Sequence, residues 1–501
     1  MPPGFRRFPL LSTCLAFGSR FADAFSEGPP YLGAGIMAHG LRTMTKIPPA
    51  YGTNGNVDCT SMDSSQSLRD TCANPDSLFA LSDEDLIHLV YKEFPEEIDR
   101  LRRAYSIRDG PWTPPSTPSP SRILYNEDYD EVNRTLVGFL ALRWIHTGQY
   151  ETFISSETSA SQLTRTSFDW IHEFYTHLIT DANTLFTLIT SIIINDLGKD
   201  PQLASDCCAK TGVDISTLNH DAILLAACNA GLVPSLDKLP DQDRNDVLRA
   251  IRLGATFNFG QLAQAENAPA CLSGLPRMKG HDRSFRLRFM EQLLDIAGAA
   301  GHMDWTCAKK LIQPIFDSYR NVYDVCEGVI SGTLTVRSGY DLILIRRASF
   351  LRDKDVRRFQ VEENPGDRAL MRLFCMGNVT TQEKALLYED AWRALEDPVR
   401  ETLQNALNLD GRRGEPAVQP TYIPALLGRI QDVNALVCTL HYLSQVMSAT
   451  DTEDPSAVVI ERSVYSVLKQ FIESEEFQED PTILERVDVP DGVVALTTAS
   501  V

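Results

Sequence analysis

The feature that most constrains the fold is the spacing of apolar residues, which recur every three or four positions. Alternation of apolar and polar residues, the pattern of a half-buried strand, is scarce. Residues 332–345 are the one candidate hairpin or long loop. The sequence therefore predicts an all-α, multi-helix bundle with a disordered N-terminal region and tail. The clearest apolar helix faces lie within residues 136–145, 185–193, 287–296 and 426–440.

Composition predicts the domain organisation. Residues 47–76 are rich in Ser, Asn, Asp, Gly and Thr, which favours a flexible segment. Prolines recur in residues 110–122 and cannot continue a helix there. Ser82 followed by three acidic residues predicts a helix that begins at residue 83 and runs to about Arg103. The predicted parts are a disordered or targeting arm (1–76), a helical segment (77–109), a Pro-rich linker (110–122), a helical main domain (123–475) and a loosely attached tail (476–501).

The charge and the hydropathy exclude two classes of partner. The formal net charge is −20, so the chain lacks the basic footprint that non-specific binding to nucleic acid requires. No stretch approaches the roughly eighteen apolar residues of a membrane span. Nothing in the sequence predicts an oligomeric state.

The cysteines and the N-terminus bear on localisation. The chain has 11 cysteines, an odd number without a CxxC pair, which favours reduced thiols and a reducing compartment. We therefore expect a cytoplasmic protein. Residues 1–22 contain Arg6, Arg7 and Arg20 and no acidic residue, so a mitochondrial transit peptide is the alternative.

One segment carries a recognisable motif. Residues 192–199 read Ile-Ile-Ile-Asn-Asp-Leu-Gly-Lys at the end of an apolar helix. This segment resembles the apolar-apolar-His-Asp-apolar-Gly-Lys signature of the HD-domain superfamily, with Asp196, Gly198 and Lys199 at matching positions. Asn195 stands where that signature has His. An Asn amide oxygen is a weaker ligand for zinc, iron or manganese than imidazole and suits harder ions.

The resemblance implies an HD-like core at about residues 165–305. Proteins of that superfamily are all-helical and bind metals; they include phosphohydrolases, phosphodiesterases and di-iron oxygenases. His172 lies 24 residues before Asp196 and His220 lies 24 residues after it, as the first His and an extra ligand pair would. Asp295, His302 or Asp304 is a possible last ligand. The candidate ligands of a divalent Fe, Mn or Zn ion are therefore His172, Asn195, Asp196, His220, Asp221 and His302.

An ordinary structural interpretation stands beside this one. Asn-Asp-x-Gly at a helix end is also common turn chemistry, in which Asp196 bonds to the backbone and Lys199 faces water. His220 and Asp221 follow Asn219, which can cap a helix.

Other polar residues are candidates for ligand binding. Lys199, Arg283 and Arg286 could hold a substrate anion, the arginines through bidentate hydrogen bonds. Gln261, Gln264 and Glu266 follow two aromatic residues, and such polar side chains among aromatics can line a pocket.

These features give one leading hypothesis and two alternatives. The leading hypothesis is an HD-domain-like, metal-dependent hydrolase that acts on a phosphorylated or other anionic small molecule. The first alternative is an HD-type iron oxygenase, which needs two irons and is disfavoured by Asn195. The second alternative is a non-catalytic helical scaffold that has lost its metal and binds a ligand or a protein.

Overall fold

The computed structural model describes residues 67–106, 113–256, 258–472 and 474–495. Within these ranges the chain is mainly helical, with one small sheet, which confirms the prediction of an all-α protein. The predicted arm (residues 1–76), with its alternative as a transit peptide, lies outside the described residues up to residue 66. The expected flexible segment is wrong for residues 67–76, where Leu68–Thr71 form a short helix and Leu68 and Cys72 are buried in the core.

The described residues from 67 to 298 form helices and no strand. They are α1 (Leu68–Thr71), α2 (Pro75–Phe79), α3 (Asp83–Glu93), α4 (Pro95–Leu101), α5 (Pro120–Tyr125), α6 (Asp130–His146), α7 (Tyr150–Phe153), α8 (Arg165–Leu178), α9 (Ala182–Ile194), α10 (Pro201–Thr211), α11 (His220–Asn229), α12 (Asp241–Gly254), α13 (Phe259–Ala263) and α14 (Asp282–Gly298), with short 3-10 helices at Leu197–Lys199, Pro234–Lys238 and Pro269–Met278.

The C-terminal part adds further helices and the sheet. Its helices are α15 (Gln313–Ser331), α16 (Val336–Arg352), α17 (Pro365–Met376), α18 (Gln382–Ala394), α19 (Asp397–Leu407), α20 (Pro424–Leu427), α21 (Val433–Ser448), α22 (Tyr465–Ile472) and α23 (Glu475–Glu479), with a 3-10 helix at Pro481–Arg486. The strands are β1 (Ala417–Thr421), β2 (Val459–Ser463) and β3 (Gly492–Ala495). Strand β2 is central, parallel to β1 and antiparallel to β3, and Gln419 lies opposite Glu461.

Helices α6 and α14 form the centre of the bundle because glycines let their backbones approach closely. A Cβ atom added to Gly298 would lie 2.2 Å from the carbonyl oxygen of Arg134, and one added to Gly138 would lie 2.8 Å from that of Leu294. Only glycine fits at such an approach. Both helices are buried around most of their circumference, so the polar residues that they carry lie inside the protein.

The hairpin predicted at residues 332–345 is wrong. Helix α16 begins there instead, behind a capping box in which Thr335 and Ser338 each bond to the other's backbone N–H. The apolar alternation in the sequence was therefore outweighed by a local helix start signal.

Segments that the composition sets apart pack onto the same core. Buried residues of α3 and α4, such as Leu86 and Ile98, belong to the hydrophobic cluster that also contains the main domain. The described part of the Pro-rich segment contacts the main domain, since the indole N–H of Trp305 donates to the hydroxyl of Thr117 at 3.0 Å. The predicted tail contributes β3 and buried Leu484.

The helix predicted after Ser82 begins where expected but ends earlier. Ser82 caps α3 as predicted, with its hydroxyl accepting from the backbone N–H of Asp85 at 3.1 Å. The helix expected to reach Arg103 ends at Glu93, because Pro95 cannot continue it, and α4 starts anew.

In the described ranges no helix is long and apolar enough to cross a bilayer.

Candidate functional site

The motif segment turns sharply between two helices. Helix α9 ends at Ile194, Asn195 caps its C-terminus, and a 3-10 turn spans Leu197–Lys199. A Cβ atom on Gly198 would lie 1.9 Å from the carbonyl oxygen of His220, so this turn packs directly against the start of α11. The motif glycine is therefore required by a close backbone approach, which brings Asp196 next to His220.

Lys199 is buried between two carboxylates. Its Nζ atom lies 2.6 Å from Oε1 of Glu131, in the first turn of α6, and 2.8 Å from Oδ2 of Asp196. The lysine side chain is 0% exposed. Burial acts to lower the pKa of Lys199, but the carboxylates of Asp196 and Glu131 outweigh it and the pKa is raised. The charged ammonium is therefore the form that this site stabilises.

His220 and Asp221 occupy the first turn of α11, which Asn219 caps. The Nε2 atom of His220 lies 3.9 Å from Oδ1 of Asp196 and 3.9 Å from Oδ2 of Asp221. Burial lowers the pKa of His220 to about 4, so its imidazole is neutral near pH 7.

Arg288 of α14 joins the motif from the opposite side. Its Nη1 donates to Oδ1 of Asn195 at 3.0 Å and to Glu291 at 2.6 Å, and Nη2 donates to Asp221 at 3.4 Å. The guanidinium lies against Gly254, where an added Cβ atom would be 2.4 Å from Nη2. Asn195 is thus a neutral acceptor for a buried arginine, a role that its amide oxygen fills well.

Together these residues form what we call the ion-pair cluster. It is buried and joins α6, the motif turn, α11 and α14. Asp196 and Lys199 were predicted from the motif, whereas the residues of α6 and α14 were missed. The signal that could have revealed the latter is a pair of Arg and Glu three residues apart in each of these two helices. The members of the ion-pair cluster are Glu131, Arg134, Asp196, Lys199, His220, Asp221, Arg288 and Glu291.

The cluster carries four carboxylates and three permanent cations, with a neutral histidine. Burial raises the pKa of Glu131 and of Glu291, and their arginine neighbours Arg134 and Arg288 oppose that shift. Buried charges are costly unless they are paired or bind a metal. In this cluster the pairing is supplied by Lys199 and the two arginines.

The structure does not bring His172 to the ion-pair cluster. Its Nδ1 atom lies 2.7 Å from the carbonyl oxygen of Ile145, near the C-terminal end of α6. Glu131, which contacts Lys199, lies in the first turn of the same helix. At 1.5 Å per residue the two positions are separated by about 21 Å along the helix. One ion therefore cannot be shared by His172 and Asp196.

Of the candidates for a last ligand, Asp295 lies inside α14 and interacts electrostatically with Lys199 and Arg288 of the ion-pair cluster, whereas His302 and Asp304 follow the helix. The helix ends at Gly298, so the expected helix face shared by Asp295 and His302 is wrong. His302 is buried in the following turn. Asp304 accepts a hydrogen bond from Ser156 at 2.5 Å and caps its own turn through Thr306.

Two of the three proposed anion-binding cations already face carboxylates. Lys199 is buried as described above, and Arg283 pairs with Asp243 at 2.5 Å and Asp246 at 2.7 Å. Arg286 packs over the ring of Phe174, 5.5 Å from its centroid. The expected anion site is therefore not assembled from these three residues.

A small cavity adjoins the ion-pair cluster. Ser191, Asn195, Arg288 and Glu291 line it together with apolar side chains of α12 and α14. It leaves about 10 Å³ for the centre of a water-sized sphere, which is room for about one water molecule. Ligand pockets are usually at least about 300 Å³, so this cavity is much smaller than a typical substrate pocket.

The side chains that could act as metal ligands are the next feature of the site. In the described part of the chain no group of three or more His, Cys, Asp or Glu side chains is placed to hold a metal ion. Around His220, Asp196 directs one oxygen to Lys199 and Asp221 directs one to Arg288. The other oxygen of each carboxylate faces Nε2 of His220 at 3.9 Å, so an ion shared there would lie beside the positive charges of Lys199 and Arg288.

Comparison with known protein families identifies a family to which this chain is similar. A family of unknown function (DUF6829) matches residues 87–484, which is more than half of the chain and includes the whole ion-pair cluster. No curated protein and no solved structure gives a significant match.

Proposed function

This chain belongs to the DUF6829 family, and we propose that it is a non-catalytic helical scaffold that binds a ligand or a protein partner. The observation that carries the proposal is the position of Lys199, whose ammonium lies between Glu131 and Asp196. The resemblance to HD domains implies a metal beside Asp196. A fixed internal cation at that carboxylate supplies the positive charge that a metal would otherwise provide.

Arg288 supports the same proposal from the second side. It bonds to Asn195, at the position where the HD signature has its His, and to Asp221, the neighbour of His220. The substitution of His by Asn and the presence of a buried arginine therefore complement each other. The cavity beside them has space for about one water, which suits a structural core better than a reaction site.

The second candidate is a metal-dependent hydrolase of an anionic small molecule. It is favoured by His220, whose Nε2 atom faces one oxygen of Asp196 and one of Asp221 at equal distances of 3.9 Å. These three side chains would be the ligands. Lys199 and Arg288 already pair with the other oxygens of the two carboxylates, and their positive charges oppose a metal cation at this position.

Metal analysis separates the two candidates. The full-length chain is purified from cells grown with iron, manganese and zinc, and its metal content is measured beside Asp196→Asn and His220→Ala. His177→Ala is the matched control because His177 is exposed on α8. The scaffold proposal expects less than about one metal per ten chains in every form. Stoichiometric metal that is retained in the control and lost in both cluster variants would overturn it in favour of the hydrolase.

A further inference from the structure

A second buried polar cluster lies beside the sheet, apart from the ion-pair cluster. Gln261 and Glu266, which the sequence marked as possible pocket residues, both belong to it. Asn267 donates to Gln419 of β1 at 2.7 Å and to Gln261 at 3.2 Å. The thiol of Cys271 lies 3.4 Å from the same oxygen of Gln419. We call this the amide cluster; its members are Gln261, Glu266, Asn267, Cys271, Gln419, Thr421 and Glu461.

The sheet determines which side chains face this cluster. Side chains two residues apart on a strand point to the same face, so Thr421 shares the face of Gln419. Glu461 of β2 is the register partner of Gln419, and paired strands are about 4.8 Å apart. Glu266 reaches the end of β1, where its Oε1 accepts from the backbone N–H of Tyr422 at 3.0 Å.

A strained turn holds two of these side chains in place. Ala265 adopts a φ of 52°, in the left-handed region that favours glycine. Arg372, which is 0% exposed, donates to the carbonyl oxygens of Ala265, Glu266 and Asn267 at 2.9 to 3.2 Å. Its donors are thus directed to main-chain carbonyls and not to a carboxylate. Such strain persists only where the surroundings enforce it.

Two buried side-chain oxygen atoms of the amide cluster lack a hydrogen-bond partner among the described residues. Among the described residues, no hydrogen-bond partner reaches Oδ1 of Asn267 or Oγ1 of Thr421, although these residues are 1% and 3% exposed. No described side chain forms an ion pair with Glu461. The neighbouring cation Arg372 donates to main-chain carbonyls, so among the described residues neither Glu266 nor Glu461 has an ion pair.

We propose that the amide cluster binds one hard metal cation, Ca²⁺ or Mg²⁺, through Glu266, Glu461, Asn267 and Thr421. Hard cations take carboxylate, amide and hydroxyl oxygens together, and this cluster offers all three types. A cation there satisfies the unpartnered oxygens of Asn267 and Thr421 and compensates both carboxylates. The remaining unpartnered atom, Nε2 of Gln261, is a donor and is not a ligand.

Titration calorimetry tests the proposal on the full chain after treatment with a chelator. CaCl₂ and MgCl₂ are titrated separately, and one of them should bind once per chain with a Kd of about 10⁻⁴ to 10⁻³ M, as expected for a site with few carboxylates. Glu461→Gln and the isosteric Thr421→Val should each weaken binding about tenfold or more. Glu479→Gln, at an exposed acid of α23, is the matched control and should bind like the unaltered chain.

Three outcomes would overturn the proposal. The first is no binding of either ion at about 10 mM, tenfold above the weakest expected Kd, which would mean that ordered water or protons fill the cluster. The second is binding that both Glu461→Gln and Asp221→Asn leave unchanged. The third is binding lost in Asp221→Asn but kept in Glu461→Gln, which would place the ion in the ion-pair cluster. If Glu461→Gln does not fold, Thr421→Val alone decides.

Discussion

The ammonium of Lys199 lies 2.6 Å from the carboxylate of Glu131, and both side chains are completely buried. The two residues are 68 positions apart in the chain, so this pair ties the first turn of α6 to the motif turn. A buried pair is weak evidence for stability by itself, but breaking one is strongly destabilising because it leaves an uncompensated charge.

Replacement of Lys199 by Met should therefore lower the free energy of unfolding by about 3–5 kcal/mol. Glu131 and Asp196 would both lose their cation, and adding Glu131→Gln should restore part of the loss. Urea denaturation followed by circular dichroism measures both variants. Lys210→Met, at an exposed lysine of α10, should change stability by less than about 0.5 kcal/mol. A loss below about 1 kcal/mol for Lys199→Met would contradict the role given to this pair.

Replacement of Gly198 by Ala should separate the motif turn from α11. The added Cβ atom would meet the carbonyl carbon and oxygen of His220 at 2.7 and 1.9 Å, and backbone atoms cannot move aside cheaply. We expect a loss of about 3 kcal/mol or more in unfolding free energy, as for an overpacked core. Gly366→Ala is the control, since its Cβ would meet only side-chain oxygens at 3.2 Å. Equal melting temperatures for the two variants would show that the close approach is not required.

His220 should make stability depend on pH. Its pKa is lowered from 6.5 to about 4 in the folded state, chiefly by burial, with Lys199 and Arg288 adding to the shift and Asp221 opposing it. Above pH 6.5 both states are neutral, and as the pH falls toward 4 only the unfolded state takes up the proton. Stability should thus fall by about 3 kcal/mol over that range.

The variant His220→Gln isolates this effect from other titrating groups. It lacks the ionisable ring, so the difference in unfolding free energy between the two proteins should change by about 3 kcal/mol between pH 7 and pH 4. Denaturant titrations at several pH values measure that difference. A constant difference across the range would mean that His220 is not buried as a neutral ring.

Arg372 should not tolerate even a conservative change. Its guanidinium donates to four carbonyl oxygens, those of Ala265, Glu266, Asn267 and Leu407. A lysine has three donors on one atom and cannot span these positions, so Arg372→Lys should cost about 3 kcal/mol. Arg393→Lys, on the exposed side of α18, should be close to neutral. Thermal unfolding of both variants checks this, and a small effect at Arg372 would contradict it.

The helical class follows from the sequence alone, because the spacing of apolar residues at three or four positions is a local pattern that does not depend on how the helices pack. The sequence also determined local starts and stops, such as the cap at Ser82 and the capped start of α11 at Asn219. The cap at Thr335, where α16 starts, is also a local sequence signal. The alternating apolar residues around it nevertheless led to the wrong prediction of a hairpin.

The contacts between polar residues, in contrast, depend on how the helices pack. The even spacing of His172, Asp196 and His220 suggested one site, but α6 is long enough to place His172 about 21 Å from the position of Glu131. Glu131 and Arg288 carry no motif, and they reach Asn195 and Lys199 because α6 and α14 approach through glycines. The motif fixed the chemistry of single residues, whereas helix length and close packing fixed their partners.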